Sequence, residues 1–410
     1  MIGEIIAIGD ELTSGRITNT TSGYAARQLF LLGHAVVAMH TIGDAPELIG
    51  ETLKAAIARA DFVLVTGGLG ATTDDLTNEA VIKALSLNGA IHPGVQANIA
   101  SRMAKGDDVA VSLTKLAQLP EGAEVLDDEC RMAGYLLRYQ GKPIYFLPGV
   151  PPQMEILLRD KVLPGLQAFD ASPALPVSQR VYRTCGLYEI EINKRLHPLE
   201  QQGMEIGYYP VGSEVHVSLT AHNLAGGTDD PLFRKADTFI REALGDNLYG
   251  IDQENLAAVT GRLLQERGLM LGAAESCTGG LIGAAVTETP GSSRWFKGGV
   301  VVYANDLKEQ LLGIDPALLA RHGAVSAETA RAMAVQTVQR LGCDIAISAT
   351  GIAGPDGGTV DKPVGTVYLG LSHHNTVMDR LCRFYGSRRQ IQEKTAQTAV
   401  DMVRRFLLTP

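Results

Sequence analysis

Aromatic side chains are scarce in this sequence: they make up 5% of its 410 residues, with Trp295 the single tryptophan. Paired cysteines are also missing. Cys130, Cys185, Cys277, Cys343 and Cys382 are scattered and odd in number, with no CxxC and no Cys/His cluster of zinc spacing. That excludes a disulfide scaffold and leads us to expect reduced thiols in a cytoplasmic protein. Positive charge is in deficit, 36 Lys and Arg against 45 Asp and Glu, a net charge of −9. A general nucleic-acid binder, which needs a basic face, is thereby excluded. A small phosphorylated ligand, needing only a local site, is not. No run approaches the roughly 20 apolar residues of a membrane span. The opening MIGEIIAIGDELTSG reads as a strand leading into a loop, not as a signal peptide. With 45% hydrophobic and 20% charged residues, the composition is that of a globular chain and excludes disorder, collagen and coiled coil as its overall character. Glycine is the one excess, 45 residues against a usual share of roughly 7%. Such an excess means either flexible linkers or tight backbone loops, and the positions of the glycines decide between them.

At about 100–200 residues per domain, the length predicts two to four domains. From residue 1 to 170, buried strands (GEIIAIG, HAVVAMH, FVLVT) alternate with helices (19–32, 46–60, 76–87, 93–105, 154–163), which predicts a parallel sheet covered on both faces. The stretch ASPALP at 171–176 reads as a linker into a smaller βαββαβ unit ending at 251. From 252 to 410 a second α/β pattern follows. The expected fold class is thus α/β, two three-layer domains with parallel-type sheets joined by a small α+β domain.

In the C-terminal segment, the strand LMLGAA runs into Glu275, Ser276, Cys277, Thr278, Gly279 and Gly280. A serine at a strand-to-helix turn sits where free N–H groups can hold a phosphate or a developing oxyanion; the alternative is that Ser276 only caps the helix. Cys277 could be nucleophilic, but no histidine lies nearby in sequence to act as its base, and a structural cysteine is the simpler reading. Tyr303 follows a strand, and Lys308 falls in the first turn of the next helix. There the helix dipole and burial would favour a neutral amine able to deprotonate a serine, unless Lys308 is an exposed surface lysine. The buried strand CDIAISAT delivers Thr350 and a loop carrying Gly351, Gly354, Gly357 and Gly358, a nest of N–H groups for an anion or simply a long connection. Arg388 and Arg389 open the last helix, and either could fork onto a phosphate or carboxylate.

At the N-terminal sheet edge, Asp10, Glu11, Asp44, Asp74 and Asp75 follow strand ends together with Gly67, Gly68 and Gly70. The glycines let backbone approach a phosphate closely, and the carboxylates suit a hard divalent cation bridging it. Helix capping is the alternative.

Together, AESCTGG, YANDLK, ATGIAGPDGG, KPVGTVY and FYGSRR resemble the C-terminal domain of the CinA family, with an amidase acting on nicotinamide mononucleotide. GDELTSG, TIGD, TGGLGATTDDLT and LPGVPPQM resemble the molybdopterin-binding-like domain at the N-terminus of that family, and the middle unit resembles its KH-like domain. The resemblance implies hydrolysis of nicotinamide mononucleotide to nicotinate mononucleotide and ammonia. It makes Ser276 the nucleophile, Lys308 the general base and Tyr303 its helper. Backbone N–H groups of Cys277, Thr278, Gly279 and Gly280 would form the oxyanion hole; Thr350, Gly351, Gly354, Gly357 and Gly358 would shape the ligand site, and Arg388 would hold the nucleotide. The amidase needs no cofactor. In the N-terminal domain the resemblance implies an ADP-ribose pyrophosphatase using a divalent metal (Mg or Co, with K) on Asp10, Asp44 and Asp75. A homodimer is expected, with no membrane and no general nucleic-acid partner; the middle unit lacks the GXXG loop of nucleic-acid-binding KH domains. Three positions depart from the family pattern: Ser387 for an acidic residue, Thr21 for asparagine and Ala71 for proline. The 126–137 stretch differs as well. The competing readings are a non-catalytic interaction protein associated with competence or DNA damage, and a molybdopterin-binding protein resting on fold analogy.

Overall fold

The computed structural model describes residues 1–103, 115–170, 176–202 and 204–409. Residues 171–175 of the expected linker 171–176 and the last two residues of the expected helix 93–105 lie outside them. The chain forms two compact units, Met1–Ser178 with His222–Gly227, and Gln179–Ala221 with Thr228–Pro410.

In the first unit, β1 (Ile2–Ile8), β2 (Ala35–Ile42) and β3 (Phe62–Thr66) are followed by a short pair, β4 (Gly89–Ile91) and β5 (Gln118–Pro120), then by β6 (Glu124–Val125), β7 (Tyr135–Tyr139) and β8 (Lys142–Leu147). The main sheet runs β2-β1-β3-β8-β7-β6. Its first four strands are parallel. β3 is buried throughout, as a central strand covered by helices on both faces must be. The expected parallel sheet is thus present, with one strand set against it: β7 pairs antiparallel with β8, and β6 antiparallel with β7. The cause is a two-residue hairpin at Gln140 and Gly141, both at positive φ. A Gln-Gly turn lacks the Asn-Gly or Asp-Gly signature that marks such hairpins in sequence. The closing helix expected at 154–163 is longer, running from Pro151 to Phe169 through a π-helical turn.

In the second unit, the strands β9 (Ser178–Cys185), β10 (Glu205–Val211), β11 (Glu214–Ala221) and β12 (Leu248–Ile251), with helices Glu189–Glu200 and Pro231–Leu244, make the expected βαββαβ module. The remaining sheet runs β14-β13-β15-β16-β17, from β13 (Leu271–Glu275), β14 (Phe296–Val301), β15 (Ile345–Gly351), β16 (Thr366–His373) and β17 (Thr376–Arg383). β14, β13 and β15 are parallel, and β16 and β17 antiparallel. β17 is not marked in the sequence because, as an exposed edge strand, its apolar and polar residues (TVMDRLCR) follow no two-residue alternation. The 21-residue helix Arg388–Leu408, here the closing helix, buries Ile391, Ala399, Val403 and Leu407 among residues of β13 and β15. The carboxyl ends of β13 and β15 thus lie side by side, where open α/β sheets bind ligands.

Candidate active site

β13 ends at Glu275, and the next helix begins only at Leu281. Ser276–Gly280 is therefore a turn, and Ser276 is not a helix cap: Gly280, at φ +105°, occupies that position without side-chain help. The capping is internal. The buried Glu275 carboxylate accepts N–H bonds from Gly280 (3.0 Å), Ile282 (3.0 Å) and Gly283 (2.8 Å). This satisfies orphan donors at the helix start and pins the turn that carries Ser276. It also narrows the expected oxyanion hole. Gly280 N–H is spent on Glu275, and Gly279 N–H on the Ser276 carbonyl. Among the described residues, the turn's N–H groups without a hydrogen-bond partner elsewhere in the chain are those of Cys277 and Thr278.

Lys308 is the fourth residue of the short helix Asn305–Gln310 and is 1% exposed, so it is no surface lysine. Its Nζ lies 3.2 Å from Ser276 Oγ, 2.9 Å from the Val302 carbonyl and 3.2 Å from the Tyr303 carbonyl. Burial lowers its pKa from the ordinary lysine value. Nζ donates to both carbonyls; in its neutral form the amine does so with its two N–H groups and keeps its lone pair for the serine proton. Tyr303 thus meets Lys308 through its main chain. Its phenol oxygen instead accepts a 2.9 Å bond from Arg388, whose other guanidinium nitrogen donates to the Gly354 carbonyl at 2.6 Å. Arg389 turns away onto Glu393 (2.6 Å). Burial pushes the Cys277 thiol up to about 12, which disfavours the thiolate form at neutral pH.

These groups line a cavity of about 290 Å³ that holds Ser276, Cys277, Tyr303, Lys308, Thr350, Gly351, Gly354, Gly357 and Arg388. Thr278, Gly279, Gly280 and Gly358 do not line it. Thr278 is buried, Gly279 and Gly280 turn into the helix start, and Gly358 packs against Val364. Thr350 donates to the Ala324 carbonyl (2.6 Å). Glu275, Asn305, Asp356 and Gln392 escaped the sequence reading. Glu275 reads there only as the last residue of a strand, and Gln392 is one polar residue within a long helix.

The N-terminal cleft, about 560 Å³, is lined by Glu11, Asp44, Gly67, Gly68, Gly70, Asp74 and Asp75, together with Asn19, Thr21 and Gln153. Gly67 is required: at φ +98°, a Cβ there would lie 2.2 Å from the Ile8 carbonyl oxygen. The expected metal set of Asp10, Asp44 and Asp75 is not assembled. Asp10 and Asp44 accept each other's backbone N–H (2.8 and 3.2 Å), and Asp10 does not line the cleft. Asp75 turns onto the Thr72 N–H (2.8 Å) and hydroxyl. Among the described residues, no group of three or more His, Cys, Asp or Glu is placed to hold a metal ion. Burial, with the charges of Asp10, Glu11 and Asp74 nearby, raises the pKa of Asp44.

Three family descriptions match the chain: the CinA C-terminal domain over residues 253–407, a probable molybdopterin binding domain over 4–168, and the damage-inducible protein CinA KH domain over 179–250. A CinA-like protein from Desulfotalea psychrophila is 49% identical over 99% of this chain and 98% of its own length. The chain belongs to the CinA family. A second CinA-like protein, from Syntrophus aciditrophicus, is 37% identical over 98% of this chain and 97% of its own. Among solved structures, a competence/damage inducible protein from Agrobacterium tumefaciens is 40% identical and covers 37% of this chain and 94% of its own, with a TM-score of 0.35. Two of this CinA chain's departures from the pattern have local explanations. Ser387 caps the closing helix, its hydroxyl accepting the Gln390 N–H while the Gln390 side chain returns to the Ser387 N–H. Thr21 is buried and donates to Asn19 Oδ1 at 3.2 Å. Among the described residues, no helix is long and apolar enough to cross a membrane.

Proposed function

We propose that this CinA protein is a nicotinamide-nucleotide amidase, hydrolysing nicotinamide mononucleotide to nicotinate mononucleotide and ammonia. The observation that carries this reading is a buried lysine amine 3.2 Å from a serine hydroxyl on the wall of a cavity. Lys308 takes the Ser276 proton as Oγ attacks the carboxamide carbon. The developing oxyanion meets the N–H group of Cys277, which lines the cavity. Collapse breaks the C–N bond, Lys308 returns the proton to the leaving nitrogen, and ammonia departs. Water then adds to the acyl-enzyme under the same base and releases the carboxylate. Arg388, at the cavity wall, suits the nucleotide phosphate.

The glycine loop of the N-terminal cleft supports binding of a phosphorylated ligand. Its carboxylates do not fit a metal, so a metal-dependent ADP-ribose pyrophosphatase gains no support there.

The test is ammonia release from nicotinamide mononucleotide by purified protein. Ser276→Ala and Lys308→Ala are each expected to abolish it while circular dichroism stays unchanged. Turnover at the wild-type rate in either variant sinks the assignment.

A further inference from the structure

The cavity wall carries a charge that the serine and the lysine leave unused. Most of its polar side chains are engaged: Ser276 with Lys308, Tyr303 with Arg388, and Thr350 with the Ala324 carbonyl. Asp356, on the glycine loop, lines the same cavity and is the one carboxylate among its described lining residues. Arg388 lines it too, yet it donates to Tyr303 and Gly354 and not to Asp356. The Asp356 side chain has no hydrogen bond or ion pair among the described residues.

The loop is fastened on both sides of this residue. Ahead of it, the Gly354 carbonyl is held by Arg388 at 2.6 Å. Beyond it, Lys362 Nζ donates to the carbonyl of Val325, itself a wall residue, at 2.6 Å. The Lys362 carbonyl also accepts the Thr359 N–H at 2.9 Å. An unpaired carboxylate is thus held at the cavity mouth between two anchors.

Asp356 is exposed, so solvent hydrates it. A ligand filling the cavity takes that water away, which is costly unless the ligand brings a counter-charge or a donor. The substrate proposed above brings a counter-charge. Its nicotinamide ring is a quaternary pyridinium with a fixed positive charge, and its phosphate is an anion. With Arg388 on the phosphate, the unpaired carboxylate is left for the ring. We propose that Asp356 is a specificity residue of this site, its carboxylate recognising the pyridinium charge and selecting that ring over neutral rings of similar shape. This rests on the amidase reading above.

Nicotinamide mononucleotide and its 1,4-dihydro form make the test pair: they share carboxamide, ribose and phosphate and differ in ring charge. Dissociation constants for both are to be measured by calorimetry on the full chain carrying Ser276→Ala, with and without Asp356→Asn. The asparagine keeps the shape and removes the charge. The quantity read is the ratio of the two constants within one protein, so effects on phosphate binding or folding divide out. The groups bearing on Lys308 and on the Cys277 thiol do not include Asp356, so the reacting pair is not the target of the change.

With Asp356 in place we expect the pyridinium form to bind on the order of tenfold tighter than the dihydro form. In Asp356→Asn the ratio should fall toward one, with the loss on the pyridinium form; Asp356→Glu should keep part of the preference. Raising KCl from about 20 mM to 500 mM should shrink the preference where Asp356 is present and leave the Asp356→Asn ratio flat. A ratio that Asp356→Asn leaves unchanged overturns the proposal; if both forms then weaken equally, the carboxylate serves a group they share, such as the ribose hydroxyls. If thermal melting shows Asp356→Asn to be unfolded, the salt dependence with Asp356 in place decides: a preference that shrinks with salt supports the role, and a flat one rejects it. Wild-type protein that releases no ammonia from the nucleotide overturns the amidase reading and the inference with it. Active wild type with an unchanged ratio overturns the inference alone.

Discussion

Under the proposed mechanism, Lys308 is one buried amine that serves as a base and carries a stability cost. Its pKa lies below the ordinary 10.5 because burial disfavours the charged form. Between the folded and unfolded values, the unfolded chain binds the proton and the folded chain does not. Folded stability therefore rises with pH through that window, is fully present only above 10.5, and is lost as pH falls toward the folded value. Lys308→Met lacks this slope. Urea unfolding at several pH values should show the variant gaining on wild type as pH drops from 10.5, and parallel curves would contradict the shift. The same depression predicts an acidic limb in kcat/KM with its midpoint below 10.5, since the free enzyme must carry a neutral amine. The neighbouring thiol argues in the other direction. Pushed up to about 12, it is thiolate in on the order of one molecule in ten thousand at pH 8. Iodoacetamide at that pH should leave Cys277 unmodified in native protein and alkylate it in urea, with ammonia release unaffected by the native treatment. Rapid native alkylation with loss of activity would move the nucleophile from the serine to the cysteine.

Elements show what the sequence could and could not tell. The closing helix announces itself by its cap: Ser387 and Gln390 form a reciprocal box, three residues apart. Ser387→Ala should cost about 1 kcal/mol in chemical denaturation. Ser387→Asp should recover it, because aspartate caps equally well and favours the helix dipole. If the aspartate variant is as weak as the alanine one, the serine is doing something other than capping. Strands buried on both faces, such as β3 and β15, were legible because every residue is apolar or small. The two antiparallel additions were not. β7 and β8 meet at Gln-Gly, and β17 is an exposed edge whose apolar residues do not alternate with its polar ones. Within the site, the serine, the lysine and the glycine loop could be read from their places after strands. The internal cap could not: a buried Glu275 accepting three N–H groups is indistinguishable in sequence from any charged residue ending a strand. The acidic edge of β1 and β3 misled for a related reason. Proximity at a sheet edge does not say whether carboxylates face one another or bond to backbone, and Asp10, Asp44 and Asp75 bond to backbone.

At the scale of the second unit, the small βαββαβ module and the five-stranded sheet share the closing helix. Its upper turns carry Arg388 into the cavity and Gln392 onto the Cys277 carbonyl, and its lower turns are fastened to the module. Arg404 and Asp401, each 2% exposed, pair at 2.6 Å, and Arg404 also donates to the Asp246 carbonyl at 2.6 Å. Arg405 pairs with the second Asp401 oxygen at 2.6 Å and donates to the Cys185 carbonyl at 3.2 Å. One turn up, Gln397 donates to Glu214, which also accepts from Tyr249 at 2.6 Å. Asp401 is the shared acceptor. Removing it leaves a buried guanidinium without a counter-charge, which costs about 3–5 kcal/mol. Asp401→Ala should therefore lower the denaturation midpoint strongly. Asp401→Asn should lower it less, because an amide still accepts from one arginine. The site lies at the other end of the same helix, where Arg388 precedes Asp401 by 13 residues. With the helix rigid and folded, the Asp401→Asn protein at low temperature should keep its KM for nicotinamide mononucleotide. If KM instead rises while the protein remains folded by circular dichroism, the module does more than brace the helix and helps set the position of Arg388.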